Sequence, residues 1–272
     1  MKYLYSITFY LALIIKRLIF VIYEDIFNIY SSLKWFKNSN EHTSFSLKIS
    51  EKNIENFKLH FSKFADIEEK RIQETIDYLL TLKFTKSKNR FINSDIADVD
   101  FENKYDYRII PLVLINELKL KYIFEFGFNQ GRLPYYLNCY FDDYKNTDTR
   151  YIGIDLNKRK GGLINVGNLN KNIEIKFQDI RSYLKGYKYT KNLENSLVIS
   201  STHEKLSEDF LFQFLEKNKI YPRVIVSDEV DNESAFKKFI LKNSTLYKYS
   251  NFIFLDKNNF LKPLYIGVAI KN

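Results

Sequence analysis

Cysteine is nearly absent from the sequence, which has only one, Cys139, among 272 residues. A single cysteine excludes a disulfide within the chain and a metal site built from several thiolates, and it is typical of proteins in a reducing compartment. Histidine is also scarce, since His42, His60 and His203 are the only three and lie far apart in the sequence. We therefore expect no histidine-rich metal centre, and we predict a cytoplasmic protein that holds no metal ion.

A long uninterrupted hydrophobic run is missing as well. Residues 3–15 are almost all apolar, but Lys16 and Arg17 follow, so the run is too short to span a bilayer. No small-residue cleavage site comes after it, which argues against a cleaved signal peptide. Leucine recurs at 4, 11 and 18, and isoleucine recurs at 15, 22 and 29, which is helical spacing. We predict an amphipathic helix over residues 1–40. It packs on the protein or a partner, or it lies at a membrane surface through residues 1–36, and a membrane span is the least favoured alternative.

Acidic residues are outnumbered by basic ones, and the net charge is +9. Such a surplus raises nucleic acid, an anionic membrane surface or an acidic substrate as partners. Lysine, asparagine, isoleucine, tyrosine and phenylalanine are abundant in every segment, however, so the surplus follows the composition of the whole chain. Residues 183–191 interleave aromatic and basic side chains as a nucleic-acid patch does, and the same bias explains them equally well. Nucleic acid is therefore not the partner that we expect.

The pattern of apolar residues divides the chain into parts. Residues 37–50 are polar and typical of a linker, and residues 41–104 form a helical cap or accessory region with helices near 54–64 and 66–84. From 105 to 272, short apolar runs alternate with helical segments. Strands are predicted at 121–126, 150–154, 173–177, 196–200, 223–226, 251–255 and 265–270. This alternation predicts an α/β fold with a doubly wound, mostly parallel seven-stranded sheet and an antiparallel edge strand, preceded by an α-helical N-terminal region.

A glycine-containing loop, from Glu125 to Gly131, follows the first of these strands. In a doubly wound sheet the ligand crevice lies at the carboxyl ends of the strands, where the strand order reverses. Gly127 and Gly131 allow backbone conformations closed to other residues, and Asn129 tolerates a left-handed backbone. The spacing Gly-x-x-x-Gly is not the dinucleotide fingerprint, and a carboxylate at Glu125 would repel a pyrophosphate. An amino group or the backbone donors of an ordered loop would suit that carboxylate.

These residues resemble a known family. The run Glu125-x-Gly127-x-Asn129-x-Gly131 is similar to the first motif of class I S-adenosylmethionine-dependent methyltransferases, in which an acid precedes alternating glycines. The resemblance implies a Rossmann-like methyltransferase domain over residues 105–272, with S-adenosylmethionine as its cofactor and these four residues in the cofactor site.

Two further acids match later motifs of that family. The resemblance implies that Asp155, at the end of the second strand, accepts hydrogen bonds from the ribose hydroxyls. It implies likewise that Asp179 accepts a hydrogen bond from the adenine amino group. Acids at strand ends often cap the following helix instead, and this alternative stays open for both residues.

The strand at 196–200 resembles the family's fourth strand, whose end faces the methyl donor, and His203 follows it. A histidine with a near-neutral pKa can remove a hydroxyl proton while a methyl group is transferred, so His203 is our candidate catalytic residue. Tyr107 and Arg108 lie ahead of the first strand, in a region that closes over the cofactor in relatives. Because small stand-alone members of the family act on such substrates, we expect a hydroxyl of a small molecule or glycan as the acceptor.

Two other functions remain compatible with the sequence. Asn129 replaces the middle glycine and Ser196 stands where many relatives have an acid, which leaves a catalytically inactive binding or scaffold protein as an alternative. The other is a nucleic-acid methyltransferase, although the sequence lacks the Asn/Asp-Pro-Pro-aromatic tetrapeptide common in members that methylate amino groups of nucleic acids. Asp228, Glu229 and Asp231 follow the strand at 223–226, and a solvated loop fits them better than a metal site.

Overall fold

The computed structural model describes residues 45–47, 51–81, 107–128, 131–144, 148–156, 169–187, 190–202, 204–228, 230, 234–255 and 263–272. The helix predicted over residues 1–40 and both predicted domain boundaries lie outside these ranges. The described elements are, in chain order, β1 (Phe45–Leu47), α1 (Glu51–Ala65), α2 (Glu69–Thr81), α3 (Ile109–Leu118), β2 (Tyr122–Phe126), α4 (Arg132–Asp143), β3 (Arg150–Asp155), β4 (Ile173–Phe177), α5 (Ile180–Gly186), α6 (Thr190–Glu194), β5 (Ser196–Ser200), α7 (Lys205–Lys217), β6 (Val224–Ser227), α8 (Ala235–Lys242), β7 (Tyr247–Leu255) and β8 (Pro263–Lys271). Of the described helices, none is long and apolar enough to cross a membrane.

The described strands form one sheet in the order β1-β7-β8-β6-β5-β2-β3-β4. Strand β8 runs antiparallel to both of its neighbours, β6 and β7, and every other pair is parallel. The predicted fold class, a doubly wound and mostly parallel α/β sheet preceded by helices, is confirmed. Strands β7 and β8 lie at one end of the seven strands that follow residue 105, and β7 is the outer of the two. Strand β1 pairs with β7 and adds an eighth strand to the sheet.

The strand order reverses between β2 and β5, which are neighbours in the sheet. The chain runs outward from β2 through β3 to β4, and then returns to β5 and runs outward through β6 on the other side. A reversal of this kind opens a crevice at the carboxyl ends of the two central strands. The glycine loop follows β2 and therefore lies at this crevice.

Both faces of the sheet are covered, and alternation along the strands assigns side chains to one face or the other. Ile123 of β2 packs in the hydrophobic cluster that includes α3 and α4, whereas Phe124 and Phe126 pack in the cluster that includes α5, α7 and α8. Helix α3 is buried from Ile109 to Ile115, and Pro111 lies in its first turn, where a backbone N–H has no partner within the helix. The odd-numbered residues of β2 and β3 therefore share the face that carries α3 and α4.

Helices α1 and α2 pack on that same face, so the helical region ahead of residue 105 is joined to the sheet. The rings of Phe57 and Phe61 in α1 lie 5.8 Å and 5.4 Å from the ring of Phe252 in β7, measured between centroids. Ile72 and Ile76 of α2 are buried in the cluster that also contains α3. The two helices thus contribute to the core of the sheet rather than to a core of their own.

The structure departs from the predicted elements at three places. Strand β1 lies inside segment 37–50, whose polar composition predicts a linker. Strand β7 begins at Tyr247 rather than at residue 251. Helices α5 and α6, of 7 and 5 residues, are additional, because such short helices do not show a helical period in the sequence.

Candidate functional site

The carboxyl ends of the central strands are held together by backbone hydrogen bonds that continue past the strands. The Gly127 N–H donates to the Ile154 carbonyl at 2.8 Å, which ties the loop to β3. The Ser201 N–H donates to the Phe126 carbonyl at 2.8 Å, which extends the pairing of β5 with β2. The start of the glycine loop is therefore fixed between the two neighbouring strands.

Two residues of the loop have backbone conformations that favour glycine. The φ angle is 87° at Gly127 and 76° at Gly131. A Cβ at Gly127 would also lie 2.4 Å from the Ser201 carbonyl oxygen and 2.7 Å from Thr202 Cα, so no side chain fits there. The glycines thus have the special backbone that the sequence predicts, whereas their contact with a cofactor stays a prediction. Asn129 lies outside the described residues.

Glu125 differs from an open strand-end carboxylate, because only 2% of its surface is exposed. The Tyr151 hydroxyl, on the neighbouring strand β3, donates a hydrogen bond to Glu125 Oε2. Burial raises the pKa of the Glu125 carboxyl to about 7, against the lowering effects of the Tyr151 hydrogen bond and the Arg108 guanidinium. Sequence reasoning missed Tyr151, since only the pairing of β2 with β3 brings residue 151 beside residue 125.

Gly153 makes room for this contact. It is the register partner of Glu125 in the β2–β3 pair. A Cβ at Gly153 would lie 2.8 Å from the Tyr151 hydroxyl oxygen and 3.0 Å from the ring of Phe128. The side chain of Tyr151 can therefore reach Glu125 because the residue between them on the sheet face, Gly153, has no side chain. A tyrosine two residues before a glycine is the only sequence signal of this arrangement.

Asp155, the predicted ribose contact, is the last residue of β3 and is half-buried. Its backbone carbonyl accepts a hydrogen bond from the Gln178 N–H at 3.0 Å, which fixes the end of β3 against β4. Strand alternation places its side chain on the face of the sheet that carries Glu125. The structure thus brings Asp155 to the glycine loop, and its contact with a ribose stays a prediction.

Asp179, the predicted adenine contact, caps helix α5. Its Oδ1 accepts hydrogen bonds from the Ser182 N–H at 3.0 Å and the Ser182 hydroxyl at 3.2 Å, and the Arg181 guanidinium lies 3.3 Å from Oδ2. Slight burial opposes ionisation, but the Ser182 N–H and Arg181 outweigh it, so the pKa of Asp179 is lowered. The capping role that the sequence left open is present in the structure, and a contact with adenine stays a prediction.

The residue after β5 carries a buried hydroxyl. Ser201 is 4% exposed, and among the residues that the structure describes its hydroxyl has no hydrogen-bond partner. Leaving a buried hydroxyl without a partner costs about 1–3 kcal/mol, so such a group marks a place where a further polar group belongs. The candidate base, His203, lies outside the described residues.

Three carboxylates share this end of one sheet face. Besides Glu125 and Asp155, the third is Asp228, which lies just beyond β6. Its backbone N–H donates to the Ser200 carbonyl at 3.1 Å. Alternate residues of β6 pack in the cluster on the α3 face, which places Asp228 on that face too. Within the described ranges, no group of three or more histidine, cysteine, aspartate or glutamate side chains could hold a metal ion. Among the described residues, the Arg108 guanidinium lowers the pKa of Glu125, whereas the charges of Asp228 and Asp155 raise it.

A separate groove of about 900 Å³ runs along the opposite face of β3 and β4. It is lined by tyrosine, amide and charged side chains, among them Tyr122, Arg150, Lys176, Tyr183 and Tyr187. The groove comes near the candidate site at Tyr151 and at Gln178 and Ser182, which lie on either side of Asp179 in the sequence. The site is therefore defined by the strand ends and the glycine loop, not by this groove.

No protein-family model and no curated protein matches this sequence. Solved structures with similarity to the chain include an O-methyltransferase from Bacillus cereus in complex with SAH, at 12% identity and a TM-score of 0.44, covering 80% of this chain and 100% of that one. An SAH-bound methyltransferase from Podospora anserina has 11% identity and a TM-score of 0.42 over 83% of this chain and 98% of that one. A precorrin-6y C5,15-methyltransferase from Geobacter metallireducens has 14% identity and a TM-score of 0.42 over 60% of this chain and 88% of that one. Similarity at this level does not define a shared activity, and the fold is established by the strand order itself.

Proposed function

We propose that this protein is an S-adenosylmethionine-dependent methyltransferase that methylates a hydroxyl group of a small molecule or glycan. The observation that carries the proposal is the pair of glycines with positive φ, Gly127 and Gly131, at the switch point of the sheet between Glu125 and helix α4. Loops of this kind at strand ends are where doubly wound sheets bind nucleoside-containing ligands. The sequence of the loop resembles the cofactor motif of class I methyltransferases.

The residues present fit such a cofactor. Gly127 lets the loop pack without a side chain against the backbone of Ser201 and Thr202, and the adjacent Ser201 hydroxyl is a buried polar group without a partner among the described residues. Asp155 offers a carboxylate that can accept two hydrogen bonds from a vicinal diol. Asp179 retains acceptor capacity beside its capping bonds, because a carboxylate has about four lone-pair sites. The carboxylates at the strand ends suit a ligand that bears a positive charge.

The chemistry that the bound cofactor supplies is a methyl group on a positively charged sulfur. In the proposed site Asp155 would hold the ribose, Asp179 would hold the adenine, and Glu125 with Gly127 and Gly131 would hold the amino-acid end. We propose His203 as the base that takes the acceptor hydroxyl proton, on the ground that it follows β5 by three positions in the sequence. Transfer to an oxygen then depends mainly on how the acceptor is positioned.

Calorimetry and thermal shift with S-adenosylmethionine and its demethylated product, S-adenosylhomocysteine (SAH), test the proposal. We expect one site per chain and a higher unfolding temperature with either ligand. Asp155→Ala should lose binding, whereas the matched control Asp77→Ala, on the exposed surface of α2, should bind as the wild type does. Failure of the wild-type chain to bind either ligand in both measurements would sink the methyltransferase proposal.

Turnover of hydroxyl-bearing acceptors, followed by transfer of a labelled methyl group, tests the role of His203. We expect His203→Ala to bind the cofactor normally and to lose most of its turnover, because general acid–base catalysis contributes about 10²–10⁴-fold. Unchanged turnover in His203→Ala would mean that another group, or water, removes the proton.

A further inference from the structure

The groove along β3 and β4 is a cavity that the proposed methyl transfer does not use. Its floor is the sheet face opposite Glu125, where Ile152 of β3 pairs with Glu174 of β4. Helix α5 has 7 residues and is about 10 Å long, so it is shorter than β4, which has 5 residues and spans about 16 Å. The side chain of Glu174 is accordingly exposed on this face. The groove volume of about 900 Å³ lies in the range of ligand pockets, about 300–1,000 Å³.

Two cations lie at the amino-terminal end of the groove. Arg150 begins β3, and Lys171 lies two residues before β4. Both are exposed, and among the described residues neither side chain has an ion pair or a hydrogen bond. The neighbouring acid, Glu174, is bound by Lys176, whose Nζ lies 2.9 Å from Oε1. Arg150 and Lys171 can therefore bind an anion, and a guanidinium matches the two oxygens of a carboxylate or phosphate.

The opposite end of the groove offers a neutral polar group. Gln178 follows β4 directly, and within the described ranges its exposed side-chain amide has no hydrogen bond. An amide both donates and accepts, which suits the hydroxyl groups of a ligand. The length of β4, about 16 Å, separates Gln178 from the two cations. A ligand that reaches both ends is therefore elongated, with an anionic group at one end and hydroxyl groups toward the other.

The tyrosine rings beside the groove are already covered. Tyr183 is buried, and its ring is stacked on that of Tyr187 with 5.3 Å between centroids. Lys176 Nζ lies 5.7 Å from the centroid of the same Tyr183 ring. Proteins that bind single-stranded nucleic acid stack its bases on open aromatic faces. Because Tyr183 does not offer such a face, the groove favours a ligand rich in hydroxyl groups over a nucleobase.

We propose that this groove binds an acidic or phosphorylated glycan, with its anionic group at Arg150 and Lys171 and its chain directed along β4 toward Gln178. The inference goes beyond the proposed function, because binding in the groove needs no cofactor. Together with the proposed methyl transfer, it assigns the groove to a part of the acceptor that lies away from the reacting hydroxyl.

Calorimetry with the full chain and without cofactor tests the inference. The probes are tetragalacturonate, which carries carboxylates, phosphorylated maltotetraose, and neutral maltotetraose. We expect an anionic probe to bind at one site per chain and neutral maltotetraose to bind at least about tenfold more weakly, because hydrogen bonds to charged groups are the stronger ones. Failure of both anionic probes to bind would overturn the inference.

Variants that remove one charge show where the probe binds. Arg150→Gln and Lys171→Gln should each weaken binding of the anionic probe about tenfold, and both side chains are exposed, so neither change disturbs the core. The matched control is Lys217→Gln, at the exposed end of α7 and outside the groove, which should bind as the wild type does. If Lys217→Gln weakens binding as much as Lys171→Gln, the probe binds to the basic surface in general and the inference is wrong.

Gln178→Ala tests the direction of the chain in the groove. It should weaken binding of the anionic probe about threefold, since a neutral hydrogen bond contributes less than a charged one. Unchanged affinity would contradict a ligand that extends along β4. Inorganic phosphate that binds as tightly as the glycan probes would reduce the groove to an anion site, and that result would also overturn the inference.

Two further results separate this inference from its alternatives. If an oligodeoxythymidylate binds more tightly than the glycan probes and Arg150→Gln weakens it, the groove is a nucleic-acid site and the inference fails. If the glycan binds but S-adenosylmethionine does not, only the proposed function fails. If S-adenosylmethionine binds but the anionic glycans do not, only this inference fails.

Discussion

Replacing Gly127 by alanine tests the structure of the glycine loop most directly. The φ angle of 87° costs an alanine about 1–2 kcal/mol. The added Cβ would lie 2.4 Å from the Ser201 carbonyl oxygen, a backbone atom that cannot rotate away. Because overpacking of this kind costs about 1–3 kcal/mol, we expect Gly127→Ala to lower the free energy of unfolding by about 2–5 kcal/mol.

Urea unfolding followed by circular dichroism measures this difference, with Gly186→Ala as the matched control. Gly186 is the last residue of α5, and a Cβ there would meet nothing within 4 Å. Alanine is favoured over glycine within a helix by up to about 1 kcal/mol, so Gly186→Ala should leave stability unchanged or raise it slightly. An unfolding midpoint of Gly127→Ala equal to that of the wild type would refute the close approach of the loop to β5.

Three other substitutions have expected outcomes of known sign. Gly267→Ala should lower the free energy of unfolding by about 1–3 kcal/mol, because its Cβ would lie 2.3 Å from the Phe236 ring, and an unchanged urea midpoint would contradict this packing. Asp179→Ala should cost about 1 kcal/mol through loss of the α5 cap. Since the pKa of Asp179 is lowered, that stabilisation should be present at neutral pH and should vanish in strong acid, and a cost that persists at low pH would exclude an ionic cap. The pKa of Glu125 is raised from 4.5 to about 7, so this carboxyl stabilises the fold below its ordinary pKa and the contribution is lost as pH rises through about 7. Glu125→Gln should therefore show a smaller fall in unfolding temperature than the wild type between pH 4 and pH 8, and parallel curves would show that Glu125 does not titrate in this range.

The strands beyond residue 105 were predictable because they form short apolar runs, as in the fully buried β5, or alternate apolar with charged residues, as in the edge strand β4. Strands β4 and β5 begin and end at the predicted residues, 173–177 and 196–200. The start of β7 was not predicted, because the continuous apolar run begins only after residue 251, although the alternation of tyrosine with lysine and serine over 247–250 has the period of a strand. Strand β1 depends on pairing with β7, and nothing in its polar surroundings signals that partner.

In the candidate site, too, features set by local sequence were predictable, and contacts between residues distant in the sequence were not. The special backbone of Gly127 and Gly131 follows from their own residue type and from the change of strand to helix. The hydrogen bond to Glu125 comes from Tyr151, which is a neighbour only through the β2–β3 register. A short stretch of sequence does not reveal which strands are neighbours in the sheet. The sequence therefore predicts only a carboxylate at the end of a strand, whereas in the structure Glu125 is buried and hydrogen-bonded to Tyr151.

The pairing of β1 with β7 also limits when the N-terminal part of the sheet can form during synthesis of the chain. Phe45 pairs with Phe252, a separation of roughly 200 residues, which ribosomes translate in about 10–40 s. Phe57 and Phe61 pack against the same Phe252 ring, so the aromatic side of α1 has no sheet to cover until that residue has emerged. This edge of the sheet thus forms from a strand that is synthesised early and one that is synthesised late. Until both are present, the aromatic side of α1 in the nascent chain stays uncovered and prone to aggregation.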